Sequence, residues 1–113
     1  MSSLLVLMMR QLLMTNDPQL KERYIKLEGV LRAAYEQAAL GKGDARHANG
    51  LPFHDQRILV NARSLNSPIG LAQQVLKKTQ EALDLPTKQA QVSELLGAIN
   101  YLAAMVIFIE EED

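Results

Sequence analysis

Residues 87–110 contain no proline, and Val92, Leu95, Leu96, Ile99, Leu102, Ala103, Val106 and Ile109 recur in them at helical spacing, with further apolar residues on the other faces. Apolar residues three and four apart share one face of an α-helix, whereas a half-buried strand needs strict alternation. A helix that is apolar nearly all round has to be covered on several sides, so this segment is expected to be the central helix of an all-α domain. The aromatic content of 4% and the absence of Trp leave Leu, Ile, Val, Ala and Met to fill the core.

The rest of the chain fits the same class. Asp17 followed by Pro18 is an N-cap with a first-turn proline, and Leu20, Tyr24, Leu27, Leu31, Ala34 and Ala38 then predict one long amphipathic helix ending at Gly41. The periodicity is lost between Gly41 and Pro52, which predicts a long loop over residues 41–53. Ile58, Leu59, Ala62 and Leu65 predict a short helix over 55–65, stopped by Asn66, Ser67 and Pro68. Leu71, Val75, Ala82 and Leu83 predict the next over about 68–83, with a break at Leu85, Pro86 and Thr87. A first segment, about 3–14, carries Leu4, Leu5, Leu12, Leu13 and three of the five methionines. The expectation is a small all-α bundle of about five helices in a single domain over 1–113, with no strand.

Composition removes several function classes. The chain has no Cys, hence no disulfide framework and no thiolate chemistry, which suits a cytoplasmic protein. A net charge of −1 argues against general nucleic-acid binding. Residues 4–9 are apolar, but Arg10 and Gln11 interrupt them and no basic region precedes them as in a secretory signal. The run 95–109 falls short of the roughly 20 residues that span a bilayer, so no membrane association is expected. The apolar first segment and the all-round apolar last helix offer more surface than short helices readily bury, which predicts a homo-oligomer.

The charge is unevenly spread. Residues 41–88 hold seven Lys and Arg against four acids, whereas 89–113 hold five acids and no Lys or Arg. Within the loop, Gly41, Lys42, Gly43, Arg46 and His47 can form a phosphate site, because glycines admit backbone N–H groups and Arg grips a phosphate with paired hydrogen bonds. The spacing is not that of a Walker A loop. A plain polar connection accounts for the same residues. His47 and His54, with Asp44 and Asp55 nearby, match no common zinc spacing and no nucleophile-elbow pattern, so neither a metal nor a cofactor is expected.

A second constellation lies in the last two helices, where Gly70-Leu71-Ala72-Gln73-Gln74-Val75-Leu76-Lys77-Lys78 is followed by Glu94-Leu95-Leu96-Gly97-Ala98-Ile99-Asn100-Tyr101-Leu102. Over about residues 68–109 this resembles the paired helices of the all-α nucleoside triphosphate pyrophosphatases of the MazG type. That family carries a Glu-Glu-x-x-Glu motif on one helix and a Glu-x-x-Asp motif on the next, whose carboxylates hold Mg²⁺ on a triphosphate. The resemblance puts Gln73, Gln74 and Lys77 at the three Glu positions, matches Glu94, and puts Gly97 at the Asp position. A single remaining carboxylate should not hold Mg²⁺, which needs anionic oxygen ligands. Lys77 can supply a cation instead, and Gln73 and Asn100 keep donors and acceptors for a base or sugar. An exposed helix face explains Gln73 and Lys77 equally, and a structural partner explains Asn100.

The sequence therefore leads to non-catalytic binding of a small phosphate-bearing ligand, a nucleotide or nucleotide-derived signal, by Lys42, Arg46, His47, Gln56, Arg57, Gln73, Lys77 and Asn100. The alternatives are a small interaction or inhibitor protein docking through its apolar N-terminal helix and, ranked last, a nucleotide pyrophosphohydrolase.

Overall fold

The computed structural model describes residues 3–14, 17–40 and 50–111, with the side chains of 11–14 left out. Among the described residues there are six α-helices and no strand: α1 (Ser3–Met14), α2 (Pro18–Arg23), α3 (Ile25–Leu40), α4 (Arg57–Leu65), α5 (Ile69–Asp84) and α6 (Lys88–Glu111). A 3₁₀ turn, Phe53–Asp55, precedes α4.

The boundaries follow local chemistry. The Asp17 carboxylate accepts from the backbone N–H groups of Gln19 at 3.0 Å and Leu20 at 3.4 Å, while Pro18 takes the first helical position, where its missing N–H costs nothing. Asn66 ends α4 in the left-handed region at φ 50°, and the N–H of Ser67 closes back on the Ala62 carbonyl at 3.1 Å, a Schellman-type termination. Thr87 caps α6, its Oγ1 accepting from the Ala90 N–H at 3.1 Å.

One long helix after Asp17 is not what forms. The chain breaks at Tyr24, which sits at φ −115°, ψ 15° and whose N–H bonds the Lys21 carbonyl at 3.3 Å in a tighter, three-residue closure. No residue of α2 is buried, so no packing holds that turn in line with α3. Many expected core positions also face solvent: Leu65 is 72% exposed and Leu83 79%, Tyr24, Leu27 and Leu31 are at least half exposed, and Val92, Leu95, Leu102, Val106 and Ile109 of the stripe on α6 are between 41% and 55% exposed. Leu65 and Leu83 lie at the ends of their helices.

α6 is the hub, packing against α5, α3 and α4. Leu71 of α5 shares a core cluster with Ala104 and Phe108 of α6, while Lys78 of α5 bonds Glu94 of α6, so the two helices run antiparallel. The main core joins Leu59 and Ala62 of α4, Leu71 of α5, and Ala104 and Phe108 of α6, with Phe53, Ile58, Tyr101, Met105 and Ile107 packed around them. Arg63 fastens α4 to the end of α6: its Nε and Nη2 reach the two Glu111 carboxylate oxygens at 3.0 and 2.6 Å, and Nη2 also donates to the His54 carbonyl. That fork holds the Glu111 carboxyl below its ordinary range and the Arg63 guanidinium above its own.

α1 is tied near its start by the Ser3 hydroxyl, which donates to Glu110 at 2.6 Å. Its residues 4–9 are all between 40% and 56% exposed, although they point in every direction around the helix. α6 is longer than the apolar run 95–109, and by length and composition it could cross a membrane. Three helices pack on it, and its Glu94 and Asn100 side chains are hydrogen-bonded to α5 and α3.

Candidate functional site

A cleft of about 1000 Å³ opens among the C-terminal half of α3, the start of α4, α5 and the first half of α6. It is a broad groove, open to solvent over about half of its surface. The elements that build it are positioned by the core just described: burial of Leu59 and Ala62 turns Arg57 and Asn61 of α4 toward the opening, and burial of Leu71 brings Gln74 and Lys78 of α5 onto its wall.

Lys78 is the most constrained polar side chain in the cleft. Its Nζ donates to Glu94 Oε1 at 2.7 Å, the two side chains being only 25% and 24% exposed, and stands 5.6 Å from the centre of the Tyr101 ring. The stem lies across α6 at Gly97, where a Cβ would meet Lys78 Nζ at 3.4 Å. The glycine lets the aliphatic stem lie close to the helix while the ammonium bridges a carboxylate and an aromatic face. The carboxylate at position 94 thus engages an ammonium of its own chain. Among the described residues no group of three or more His, Asp or Glu side chains converges as a metal site would require.

Three of the residues singled out in the sequence line this cleft: Gln56, Arg57 and Asn100. Gln56 has a local task, its Nε2 donating to the Leu51 carbonyl at 2.9 Å, which closes the turn before α4. Asn100 donates through Nδ2 to the Ala34 carbonyl at 2.9 Å, a bond between residues 66 apart that fastens α3 to α6. Its structural explanation therefore holds, though its side chain still borders the cleft. Arg57 is exposed and has no ion pair among the described residues.

Gln73 and Lys77 do not reach the cleft. Lys77 lies on the outer face of α5, 4.0 Å from Glu81 one turn on, with both side chains largely solvated. Their neighbours Gln74 and Lys78, rotated by roughly 100° per residue, occupy the wall instead. A sequence signal for Lys78 exists: it falls within the stripe Leu71, Val75, Lys78, Ala82, and a lysine among core positions calls for a buried partner. Lys42, Arg46 and His47 lie outside the described residues. Comparison of the chain with family models, with curated proteins and with solved structures found no match.

Proposed function

We propose that this chain binds a small phosphate-bearing ligand, a nucleotide or nucleotide-derived signal, in the cleft between α4, α5 and α6, and does so without hydrolysing it. The observation that carries this reading is the charge of the wall. Among the described residues it holds two cations, Arg57 and Lys78, against a single carboxylate, Glu94, which Lys78 already neutralises. An anion entering the cleft meets a guanidinium with free paired donors and an ammonium with two of its three N–H groups to spare. The Phe53 and Tyr101 rings offer apolar faces for a base, and Gln74, Gln89 and Asn61 supply the donors and acceptors that would read its edge. Hydrolysis is not part of the proposal, because a lone, ion-paired carboxylate leaves no set of anionic oxygens to position Mg²⁺.

Isothermal calorimetry with ATP in the absence of Mg²⁺ tests it, with adenosine as the uncharged control. ATP should bind and adenosine should not. Arg57→Ala should weaken ATP about tenfold to a hundredfold, the equivalent of roughly 1.5–3 kcal/mol for a charge-assisted hydrogen bond, while leaving the melting temperature unchanged. Absence of binding by any nucleoside mono-, di- or triphosphate, or affinity indifferent to both Arg57→Ala and Lys78→Ala, overturns the reading.

One observation favours the interaction-protein alternative: the exposed apolar residues of α1. In that case residues 3–14 would be needed for capture of a partner protein and the cleft would not.

A further inference from the structure

α6 carries two seams with the three-and-four spacing of helix-to-helix packing. The inner one, Glu94, Ala98, Tyr101, Met105 and Phe108, faces α5 and α4, and all five residues are buried or half-buried. The outer one, Val92, Leu95, Ile99, Leu102, Val106 and Ile109, lies roughly 110° further round the helix. It is wholly apolar. Ile99 is half-buried, and the other five residues are between 41% and 55% exposed.

The geometry points to a second copy of this chain as the occupant of that outer seam, its own α6 packed antiparallel on the first about a two-fold axis between Ile99 and Leu102. Four observations select this partner. First, residues at alternating steps of three and four form a stripe that another helix covers by knobs-into-holes packing. Second, the steps 3, 4, 3, 4, 3 read the same in both directions. An antiparallel copy therefore sets Val92 against Ile109, Leu95 against Val106 and Ile99 against Leu102, so each residue finds an apolar counterpart and the interface is self-complementary. Third, the charges agree: Lys88 begins α6 and Glu110 lies near its end, and only the antiparallel arrangement brings opposite charges and opposite helix-dipole ends together.

Fourth, five of the six seam residues are between 41% and 55% exposed, so an apolar stripe about 25 Å long is left to water in the isolated chain. A lipid bilayer is a poorer occupant, because the same helix holds the Lys78–Glu94 pair and the Asn100 bond on its other faces. α1 is bonded to Glu110, near the C-terminal end of α6, through Ser3.

Sedimentation of the full chain at micromolar concentration reads the result directly. The wild type should sediment at twice 12.6 kDa. Leu102→Glu should sediment as a monomer with its helical circular dichroism retained, and Leu83→Glu, on an exposed position of α5 away from the seam, should remain a dimer. If Leu102→Glu precipitates, cysteine variants decide, since the chain has no Cys of its own. A short bismaleimide should join two copies of Leu102→Cys but not of Val92→Cys, whose own counterpart lies about 25 Å away along the antiparallel axis. Cross-linking of both variants overturns the antiparallel arrangement. A wild-type monomer overturns the proposal altogether, as does a chain that stays monomeric and floats with phosphatidylcholine–phosphatidylglycerol vesicles.

Discussion

The two halves of this molecule share one kind of sequence pattern and differ in what becomes of it. From α4 onward one face of each helix meets the others, so that Leu59, Ala62, Leu71, Ala104 and Phe108 form a joint core while the outer seam of α6 stays exposed. In α2 and α3 an equally regular stripe finds little to pack against. Ala34 is buried, but Tyr24, Leu27 and Leu31 on the same stripe are at least half exposed. Periodicity makes a helix amphipathic; whether its apolar face is covered depends on elements far away in sequence, and the N-terminal half reaches α6 mainly around Ala34.

The largest expected effect tests that contrast. Leu59 is fully buried, and truncating it to alanine should cost about 2–5 kcal/mol in urea denaturation, because a cavity opens in a packed core. Leu31→Ala should stay within about 0.5 kcal/mol. Equal losses would mean that the α3 stripe is covered in solution and the contrast is lost.

Next in size is the polar pair within the well-packed half. Lys78→Met strands the half-buried Glu94 carboxylate and should cost about 1–3 kcal/mol. The double variant Lys78→Met/Glu94→Gln should recover most of that. A double mutant as unstable as the sum of the singles would show the pair to be uncoupled.

The link between the halves should matter less to global stability and more to local opening. Asn100→Ala removes the bond to the Ala34 carbonyl, a loss of about 1 kcal/mol. Hydrogen exchange should quicken in α3 while α5 and the second half of α6 keep their protection. Uniform quickening across all helices would make the two halves one cooperative unit.

The smallest effect is a pH dependence at the end of α6. Glu111 titrates below its ordinary value of 4.5 because Arg63 hydrogen-bonds its charged form. A depressed folded-state value means that the pair stabilises the protein above the unfolded-state value and that this contribution disappears as pH falls through the folded one. Melting curves from pH 6 to 3 should therefore show wild type and Glu111→Gln converging at the acid end. Because the pair is solvent-exposed, added salt should shrink the difference throughout. A gap that persists at pH 3 would trace it to packing.

Local chemistry was legible in the residues themselves. Asp17 with Pro18, Asn66 with Ser67, and Thr87 mark helix ends through hydrogen bonds that span two to five residues, and the three-and-four spacing announces helices because neighbouring turns lie one pitch apart. The all-α architecture and most helix bounds to within two residues followed from such short-range rules. Tertiary structure decided the rest. It turned α5 so that Lys78 rather than Lys77 faces Glu94, gave Asn100 a partner 66 residues away, broke the helix at Tyr24, and left Leu65 and Leu83 in solvent. One residue is 100° of helix, so a small uncertainty in which face is covered exchanges a buried lysine for a solvated one, and only contacts between distant segments settle the rotation.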